Sequence, residues 1–150
     1  MNTLSTLSAC EPGEIEKTEE TCSVTNHEFL TVVFGSTPSD CQPIVVSLKG
    51  NPAKARSSAW SGKPWTGRNE DSAALASNAN NYFSLGVFGP DAAAKIRRLK
   101  KCFHALHTIM LDDIGTKVDM ERLTLEPSWL LETSPGNYQA GYILRDPITD

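Results

Sequence analysis

The sequence lacks the features that mark several large classes of proteins. No hydrophobic run approaches the ~20 residues that a membrane-spanning helix needs, so no membrane partner is expected. Residues 1–10 contain neither a basic start nor an apolar stretch, which argues against a secretory signal. The four cysteines, Cys10, Cys22, Cys41 and Cys102, include no C-x-x-C pair. This spacing argues against a structural zinc site and favours reduced thiols in a cytoplasmic protein.

Common catalytic signatures are missing as well. The glycines form neither a Walker-type nor a dinucleotide-binding pattern, and no Ser-His-Asp or Cys-His arrangement has local support. His104 and His107 would share one face of a helix, where they would suit zinc, but they would point to opposite sides of a strand. We favour the strand and a structural role for both.

With 150 residues, of which 39% are hydrophobic, the chain has the size of one domain that buries a substantial core. Residues 1–27 are rich in Ser, Thr and Glu and poor in large apolar groups. Such a segment buries too little surface to offset the entropy lost on ordering. We therefore predict a disordered acidic tail over residues 1–27 and a folded domain over 28–150.

The net charge of −4 hides a strong segregation of charge. Residues 1–28 carry −5, residues 49–101 carry +7, and residues 102–150 carry −5. A basic middle beside an acidic final third suits a protein that holds a polyanion and a cation together.

Local patterns predict an α+β fold that is mainly strand. A helical stretch, Ala92–Lys101, is predicted after Asp91 as its N-cap. Strands are predicted from β-branched and aromatic runs that end at glycine or proline: Phe29–Phe34, Ile44–Leu48, Tyr82–Phe88, Phe103–Leu111, Trp129–Thr133 and Tyr138–Leu144. The final Asp146-Pro147 has the pattern of a helix start, which suggests that the fold continues past residue 150.

Two segments carry the residues best suited to chemistry. Asp112 and Asp113 follow an apolar run, and a divalent cation such as Mg²⁺ or Mn²⁺ would relieve the repulsion between adjacent carboxylates. The segment Glu132–Gln139 contains a Pro-Gly-Asn turn. Free N–H groups in such a turn would suit an anion, although a plain hairpin turn explains the same residues.

Together these two segments resemble a known family. Met110–Lys117 (Met-Leu-Asp-Asp-Ile-Gly-Thr-Lys) and Pro127–Gln139, with the Asn80–Ser84 strand upstream, are similar to the RepB-like primase domains of phages and plasmids. These domains belong to the archaeo-eukaryotic primase, or primase-polymerase, superfamily. The resemblance covers roughly residues 28–150.

The resemblance implies a modified RRM-like core, with an antiparallel or mixed sheet and flanking helices, that is incomplete at its C-terminus. It implies template-directed primer synthesis from nucleoside triphosphates on single-stranded DNA, in phage or plasmid replication and with a replicative helicase as a possible partner. Asp112 and Asp113 match the first motif, the divalent-metal ligands. Ser134, Asn137 and Gln139 fall on the second motif, near the incoming nucleotide. The Ser-x-His of many relatives is absent, and a third acidic motif has no counterpart before residue 150.

The basic middle of the chain fits this expectation. Trp60 and Trp65 lie among lysines and arginines and would stack unpaired bases, although packing over the core explains them equally well. The DNA-binding candidates are Lys63, Arg68, Arg97, Arg98, Lys100 and Lys101. Two other functions stay open. One is a metal-dependent nuclease or phosphohydrolase that uses the same acids, and the other is a non-catalytic module that binds single strands or another protein.

Overall fold

The computed structural model describes residues 24–68 and 75–149. The predicted acidic tail lies outside these residues, except for its last four. The described chain forms an α-helix, α1 (Asn26–Phe34), and short 3₁₀ turns at Pro52–Lys54, Ser57–Ser61, Lys100–Cys102 and Met120–Arg122. Its strands are β1 (Gln42–Leu48), β2 (Lys63–Pro64), β3 (Asn80–Phe88), β4 (Phe103–Ile114), β5 (Trp129–Ser134) and β6 (Asn137–Ile148).

The strands form one six-stranded sheet in the order β2-β1-β3-β4-β6-β5. Strand β1 pairs antiparallel with β2 and β3, β3 pairs antiparallel with β4, and β5 pairs antiparallel with β6. The predicted α+β class and mainly antiparallel sheet are confirmed. Flanking helices are fewer than expected, because α1 is the one α-helix among the residues that the structure describes.

The described chain divides into two compact units. The larger unit comprises Asn26–Met110 and the chain from Tyr142 onward. The smaller unit comprises Leu111–Gly141 and the two described residues that precede α1. Strands β4 and β6 each contribute residues to both units.

The predicted strands from Ile44 onward are confirmed, because their apolar residues are buried by the sheet. Ile44, Val45 and Val46 of β1 are all buried, and so is Val87 of β3. Strand β4 begins at Phe103 as expected but runs on to Ile114, through the Asp-Asp pair that was expected to end it.

The predicted strand Phe29–Phe34 is wrong, because this segment lies in helix α1. Its buried residues are Leu30, Val33 and Phe34, a spacing of three and four that places them on one helical face. Val32 between them is 71% exposed. β-Branched composition favoured a strand, but the burial available to one helical face outweighed that weak preference.

Helix α1 packs on the sheet through aromatic rings. Phe34 contacts Phe83 of β3 and His107 of β4, with ring centroids 6.0 Å and 6.2 Å apart. Phe29 contacts Phe83 edge-on at 5.5 Å. These contacts help to bury the apolar face of α1.

The predicted helix Ala92–Lys101 is also wrong. The Asp91 carboxylate accepts hydrogen bonds from the N–H groups of Ala93 and Lys95, at 2.9 Å and 3.0 Å. The Asp91 N–H in turn donates to the Lys95 carbonyl at 2.9 Å, and Ala94 has a φ of 55°. Asp91 therefore stabilises a tight reversal of the chain instead of a helix start, and the N–H donated by Lys95 holds the pKa of Asp91 below its usual value.

The helix start predicted at Asp146-Pro147 is a further error, since β6 extends to Ile148. Membership in the sheet outweighs the local preference for a helical cap.

Among the cysteines, Cys41 and Cys102 are free and buried, while Cys10 and Cys22 lie outside the described residues. Within residues 24–68 and 75–149, no helix has the length and apolar character that a membrane crossing requires.

The two histidines of β4 differ in exposure, as expected for strand residues whose side chains point to opposite faces of the sheet. His104 is exposed, whereas His107 is 2% exposed and packs beside Phe34. Burial lowers the pKa of His107, and the neighbouring His104 charge adds to the effect. His107 is therefore neutral in the folded protein at neutral pH.

We expect the free energy of unfolding to fall as the pH drops below about 6.5. Below this pH, His107 binds a proton in the unfolded chain but not in the folded protein. Each proton bound only by the unfolded chain lowers the free energy of unfolding by about 1.4 kcal/mol per pH unit. Urea unfolding between pH 7.5 and pH 5 measures this slope. His107→Leu should flatten the slope, and His104→Gln should change it much less, because burial is the larger cause of the lowered His107 pKa. An unchanged slope in His107→Leu would assign the pH dependence to other groups.

Candidate functional site

The two motif segments come together in the smaller unit. The Gln139 side-chain amide donates a hydrogen bond to Asp112 Oδ1 at 3.2 Å, although the two residues are 27 positions apart. The Thr116 hydroxyl donates to Asn137 Oδ1 at 2.6 Å. The end of β4 and the start of β6 thus meet through polar side chains, and we call this group the motif cluster: Asp112, Asp113, Thr116, Lys117, Asn137 and Gln139.

Asp113 has an unusual backbone. Its φ is 59°, in the left-handed region that aspartate tolerates at a cost of roughly 1–2 kcal/mol. Its carbonyl accepts from the N–H groups of Lys117 at 2.9 Å and Val118 at 3.1 Å, which closes a tight turn after β4. Such strain at a non-glycine residue often marks a functional position.

Both carboxylates of the motif cluster have partners. Asp112 Oδ1 accepts from the Asp113 N–H at 2.8 Å as well as from Gln139. Asp113 Oδ2 pairs with the Lys117 ammonium at 2.6 Å. This hydrogen bond, together with the Asp113 charge, raises the pKa of Lys117. The lysine side chain is 76% exposed, so the ion pair contributes little to stability.

The hairpin between β5 and β6 supplies the second half of the cluster. Glu132 accepts from the Gly136 N–H at 2.9 Å, and Asn137 donates to the Thr133 hydroxyl at 3.0 Å. The predicted anion-binding turn is therefore wrong at Gly136, whose N–H already donates to a carboxylate. Ser134 is exposed at the end of β5, opposite Asn137 in the strand register.

Gly115 allows the two halves of the cluster to approach. A Cβ on Gly115 (φ 85°) would lie 2.5 Å from the Gly136 carbonyl oxygen and 3.4 Å from the Tyr138 ring. Gly136 (φ 72°) has a similar backbone, but a Cβ there would have nothing within 4 Å.

We expect Gly115→Ala to cost more stability than Gly136→Ala. Each substitution places an alanine in a left-handed backbone conformation, which destabilises the protein by roughly 1–2 kcal/mol. Only Gly115→Ala adds an overpacking cost of about 1–3 kcal/mol. Chemical denaturation of both variants measures the difference. Equal losses would contradict the close approach of the two turns.

The donor set of the cluster suits a hard cation. Asp112 is exposed and Asp113 half-buried, and both offer only oxygen, which Mg²⁺ and Mn²⁺ prefer. In the part of the chain that the structure describes, no group of three or more His, Cys, Asp or Glu residues lies close enough to hold a metal ion. Mg²⁺ is commonly held by one or two carboxylates plus water and substrate phosphates. The two aspartates fit such a site when phosphate supplies further ligands.

The charges divide between the two units. The described residues of the larger unit include eleven lysines and arginines against four acidic residues. Those of the smaller unit include two basic and six acidic residues. The basic and acidic residues that the sequence separates along the chain therefore also lie mostly in different units.

The predicted DNA-binding residues all lie in the larger unit. Lys63 and Arg68 are exposed in β2 and just after it, and Lys100 and Lys101 are exposed in a 3₁₀ turn. Arg97 pairs with Asp91 at 3.4 Å. Arg98 donates from Nη2 to the Trp60 carbonyl at 3.0 Å, which joins the basic 95–101 segment to the 57–61 turn. These residues form no helix face, contrary to the sequence prediction.

The two tryptophans differ in their surroundings. Trp65 is 6% exposed, so it does not serve as an open stacking platform. Trp60 is half-buried and packs against Tyr82, with ring centroids 4.9 Å apart. Tyr82 is 37% exposed, and the Trp60–Tyr82 pair forms an aromatic surface beside Arg98.

Sequence reasoning missed several members of the site. Lys117 stands four residues after Asp113, and that spacing was the available signal. Thr116, Glu132 and Thr133 carried no signal of their own, because their roles come from contacts across the cluster.

Comparison with protein-family models, with curated proteins and with solved structures finds no match to this chain.

Proposed function

We propose that this chain is the metal-dependent nucleotidyl-transfer part of a primase or primase-polymerase. The observation that carries the proposal is the hydrogen bond between Gln139 and Asp112. It joins the two motif segments, Met110–Lys117 and Pro127–Gln139, which are separate in the sequence. The α+β class and the antiparallel sheet are compatible with an RRM-like primase core, which forms part of this proposal.

The reaction would join two nucleotides. A 3′-hydroxyl oxygen attacks the α-phosphorus of a nucleoside triphosphate, a new P–O bond forms, and the hydroxyl proton passes to solvent. The bond to the β-phosphate bridging oxygen breaks, and pyrophosphate leaves. A divalent cation held by Asp112 and Asp113 would neutralise phosphate charge and align the reacting oxygens.

The residues around the aspartates would have positioning roles. Gln139 fixes the Asp112 carboxylate through a hydrogen bond, and Thr116 fixes Asn137. Lys117 is held by an exposed ion pair, from which it would turn to the triphosphate when a cation occupies the aspartates. Asn137 and Ser134 would face the sugar or base of the nucleotide.

The larger unit would hold the template. Its basic excess favours phosphate binding through counterion release, and stacking on an aromatic side chain contributes about 1–3 kcal/mol per base. The Trp60–Tyr82 surface, with Arg98 beside it, combines both features.

The direct test incubates the 150-residue chain with single-stranded DNA, all four nucleoside triphosphates, and Mg²⁺ or Mn²⁺. We expect labelled products longer than a dinucleotide that depend on template and metal. Shortening of the DNA when triphosphates are omitted would instead identify a nuclease. Absence of synthesis in both metals would contradict nucleotidyl transfer by this chain.

A second candidate function is single-strand binding without chemistry. It is favoured by the Trp60–Tyr82 aromatic surface beside Arg98, which would bind a strand without a metal. A single-strand-binding module should have a DNA affinity that depends on salt but not on divalent metal. A polymerase should in addition bind nucleoside triphosphates in a metal-dependent way. Calorimetry with Mg²⁺ and a non-hydrolysable triphosphate, together and separately, distinguishes the two.

We expect Tyr82→Ala to weaken binding of an oligo-dT strand about 5- to 20-fold, since it removes one stacking surface. Tyr82→Phe keeps the ring and should bind like the parent chain. Lys63→Ala should instead lower the slope of log K against log salt by about 0.7, because one phosphate contact is lost. Fluorescence anisotropy at several salt concentrations measures all three. Equal affinity of Tyr82→Ala and the parent would exclude this surface.

A further inference from the structure

Lys117 is the basic residue of the motif cluster. Its ammonium lies 2.6 Å from Asp113 Oδ2, and that carboxylate is its hydrogen-bond partner among the described residues. The Lys117 backbone N–H also donates to the Asp113 carbonyl, at 2.9 Å. The turn that follows β4 therefore holds one positive charge of the chain next to the two carboxylates.

This charge changes how the two aspartates would bind a cation. Two carboxylates and one ammonium, from Asp112, Asp113 and Lys117, sum to a charge of −1, and a divalent cation added to them would bring the sum to +1. The same two carboxylates without the lysine would carry −2, which one divalent cation neutralises. Because like charges a few ångströms apart repel, Lys117 should weaken the binding of a divalent cation that arrives alone.

The same charge has the opposite effect on a triphosphate. A nucleoside triphosphate carries several negative charges, and lysine binds phosphate as a point charge. The position of Lys117 in the turn next to Asp113 therefore favours a ligand that brings phosphate together with the cation.

We propose that Lys117 makes the motif cluster selective for a metal–triphosphate complex over the free divalent metal. On binding of the complex, Lys117 leaves the Asp113 carboxylate to the cation and pairs with a phosphate. This inference rests on the proposed nucleotidyl transfer and names the form in which its substrate and metal reach the site.

Solvent exposure of the ion pair permits this exchange of partners. The side chains are 76% exposed for Lys117 and 38% exposed for Asp113, so the pair is weak. Separating a fully buried pair would leave two charges without solvent or partner, which strongly destabilises a protein. Neither charge of the Asp113–Lys117 pair meets that obstacle.

Two binding measurements on Lys117→Met test the proposal, because they should change in opposite directions. Electron paramagnetic resonance with Mn²⁺ alone should show about 5- to 10-fold tighter binding than in the parent chain, since one nearby positive charge is gone. Calorimetry with the preformed Mg²⁺ complex of a non-hydrolysable triphosphate should show binding weakened about 5- to 10-fold, since one phosphate contact is gone. Arg122→Gln removes the other described basic charge of the smaller unit and should change both affinities by less than twofold.

The double variant Asp112→Asn with Asp113→Asn separates this inference from the proposed function. If its Mn²⁺ affinity equals that of the parent, or if the parent binds neither Mn²⁺ nor the complex at millimolar concentration, the metal site itself is refuted. If the double variant loses Mn²⁺ binding while Lys117→Met leaves both affinities unchanged, or shifts both in the same direction, only the selectivity assigned to Lys117 is overturned. Equal shifts in Arg122→Gln would likewise overturn it, because they would reflect net charge and not the position of Lys117.

Discussion

Replacing Asp112 and Asp113 together by asparagine is expected to reduce primer synthesis about 10³-fold or more. A bound divalent cation supplies several kcal/mol of transition-state charge stabilisation, and each 1.36 kcal/mol corresponds to a factor of ten. The substitution removes both negative charges and preserves the shape of the two side chains. Quantifying labelled primer against time, with saturating template and triphosphates, gives the rate.

The fold should tolerate this double substitution. Asparagine accepts the hydrogen bonds that Asp112 now accepts from Gln139 and the Asp113 N–H, and it adopts the left-handed backbone of position 113 readily. The lost Asp113–Lys117 pair is exposed and contributes about 0–1 kcal/mol. Asp119→Asn removes an exposed carboxylate of the same unit and serves as the matched control. Synthesis within threefold of the parent rate in the double variant would refute the assignment.

Asp113→Gly separates function from stability at the same position. Glycine adopts the left-handed backbone without the strain that aspartate carries there, so stability should be kept or improved by up to about 1 kcal/mol. Activity should still be lost, because the carboxylate is gone. This outcome would indicate that the strained aspartate is retained for chemistry.

Replacing Gly141 by alanine is expected to destabilise the protein by about 3 kcal/mol, at the upper end of ordinary overpacking costs. Gly141 of β6 pairs with Trp129 of β5, and a Cβ at position 141 would lie 1.8 Å from ring atom Cε2 of Trp129. The Trp129 ring is rigid and 6% exposed, so it must leave its buried position to make room. For a chain of this length, such a loss lowers the melting temperature by about 10 °C.

A double-mutant cycle identifies the cause. Trp129→Leu alone should also destabilise the protein, but adding Gly141→Ala to Trp129→Leu should cost much less than in the parent chain, because the clash disappears. We expect a coupling energy of at least about 1 kcal/mol, as for other residues in direct contact. Strictly additive losses would show that the tryptophan ring does not cover Gly141.

The motif cluster illustrates how far sequence reasoning reached. Asp112, Asp113, Asn137 and Gln139 were recognisable because residue type and spacing carry chemistry within a short segment. Their partners Thr116, Lys117 and Glu132 were not recognised, because each role arises from a contact in three dimensions. The left-handed backbone of Asp113 likewise follows from closing the turn to Val118. No single residue type in the sequence predicts this conformation.

The sequence by itself determined the strands β1 and β3–β6, the separation of basic from acidic residues, and the two motif segments, since these depend on local composition. Tertiary structure alone decided that Phe29–Phe34 forms a helix. The helix is stabilised by packing one face against Phe83 and His107, which are distant in the sequence. It also decided that residues after Asp91 turn back instead of forming a helix, and that Trp65 is buried while Trp60 stays at the surface. Burial and long-range hydrogen bonds act between residues far apart in the chain, so they outweigh local preferences that differ by only about 1 kcal/mol per residue.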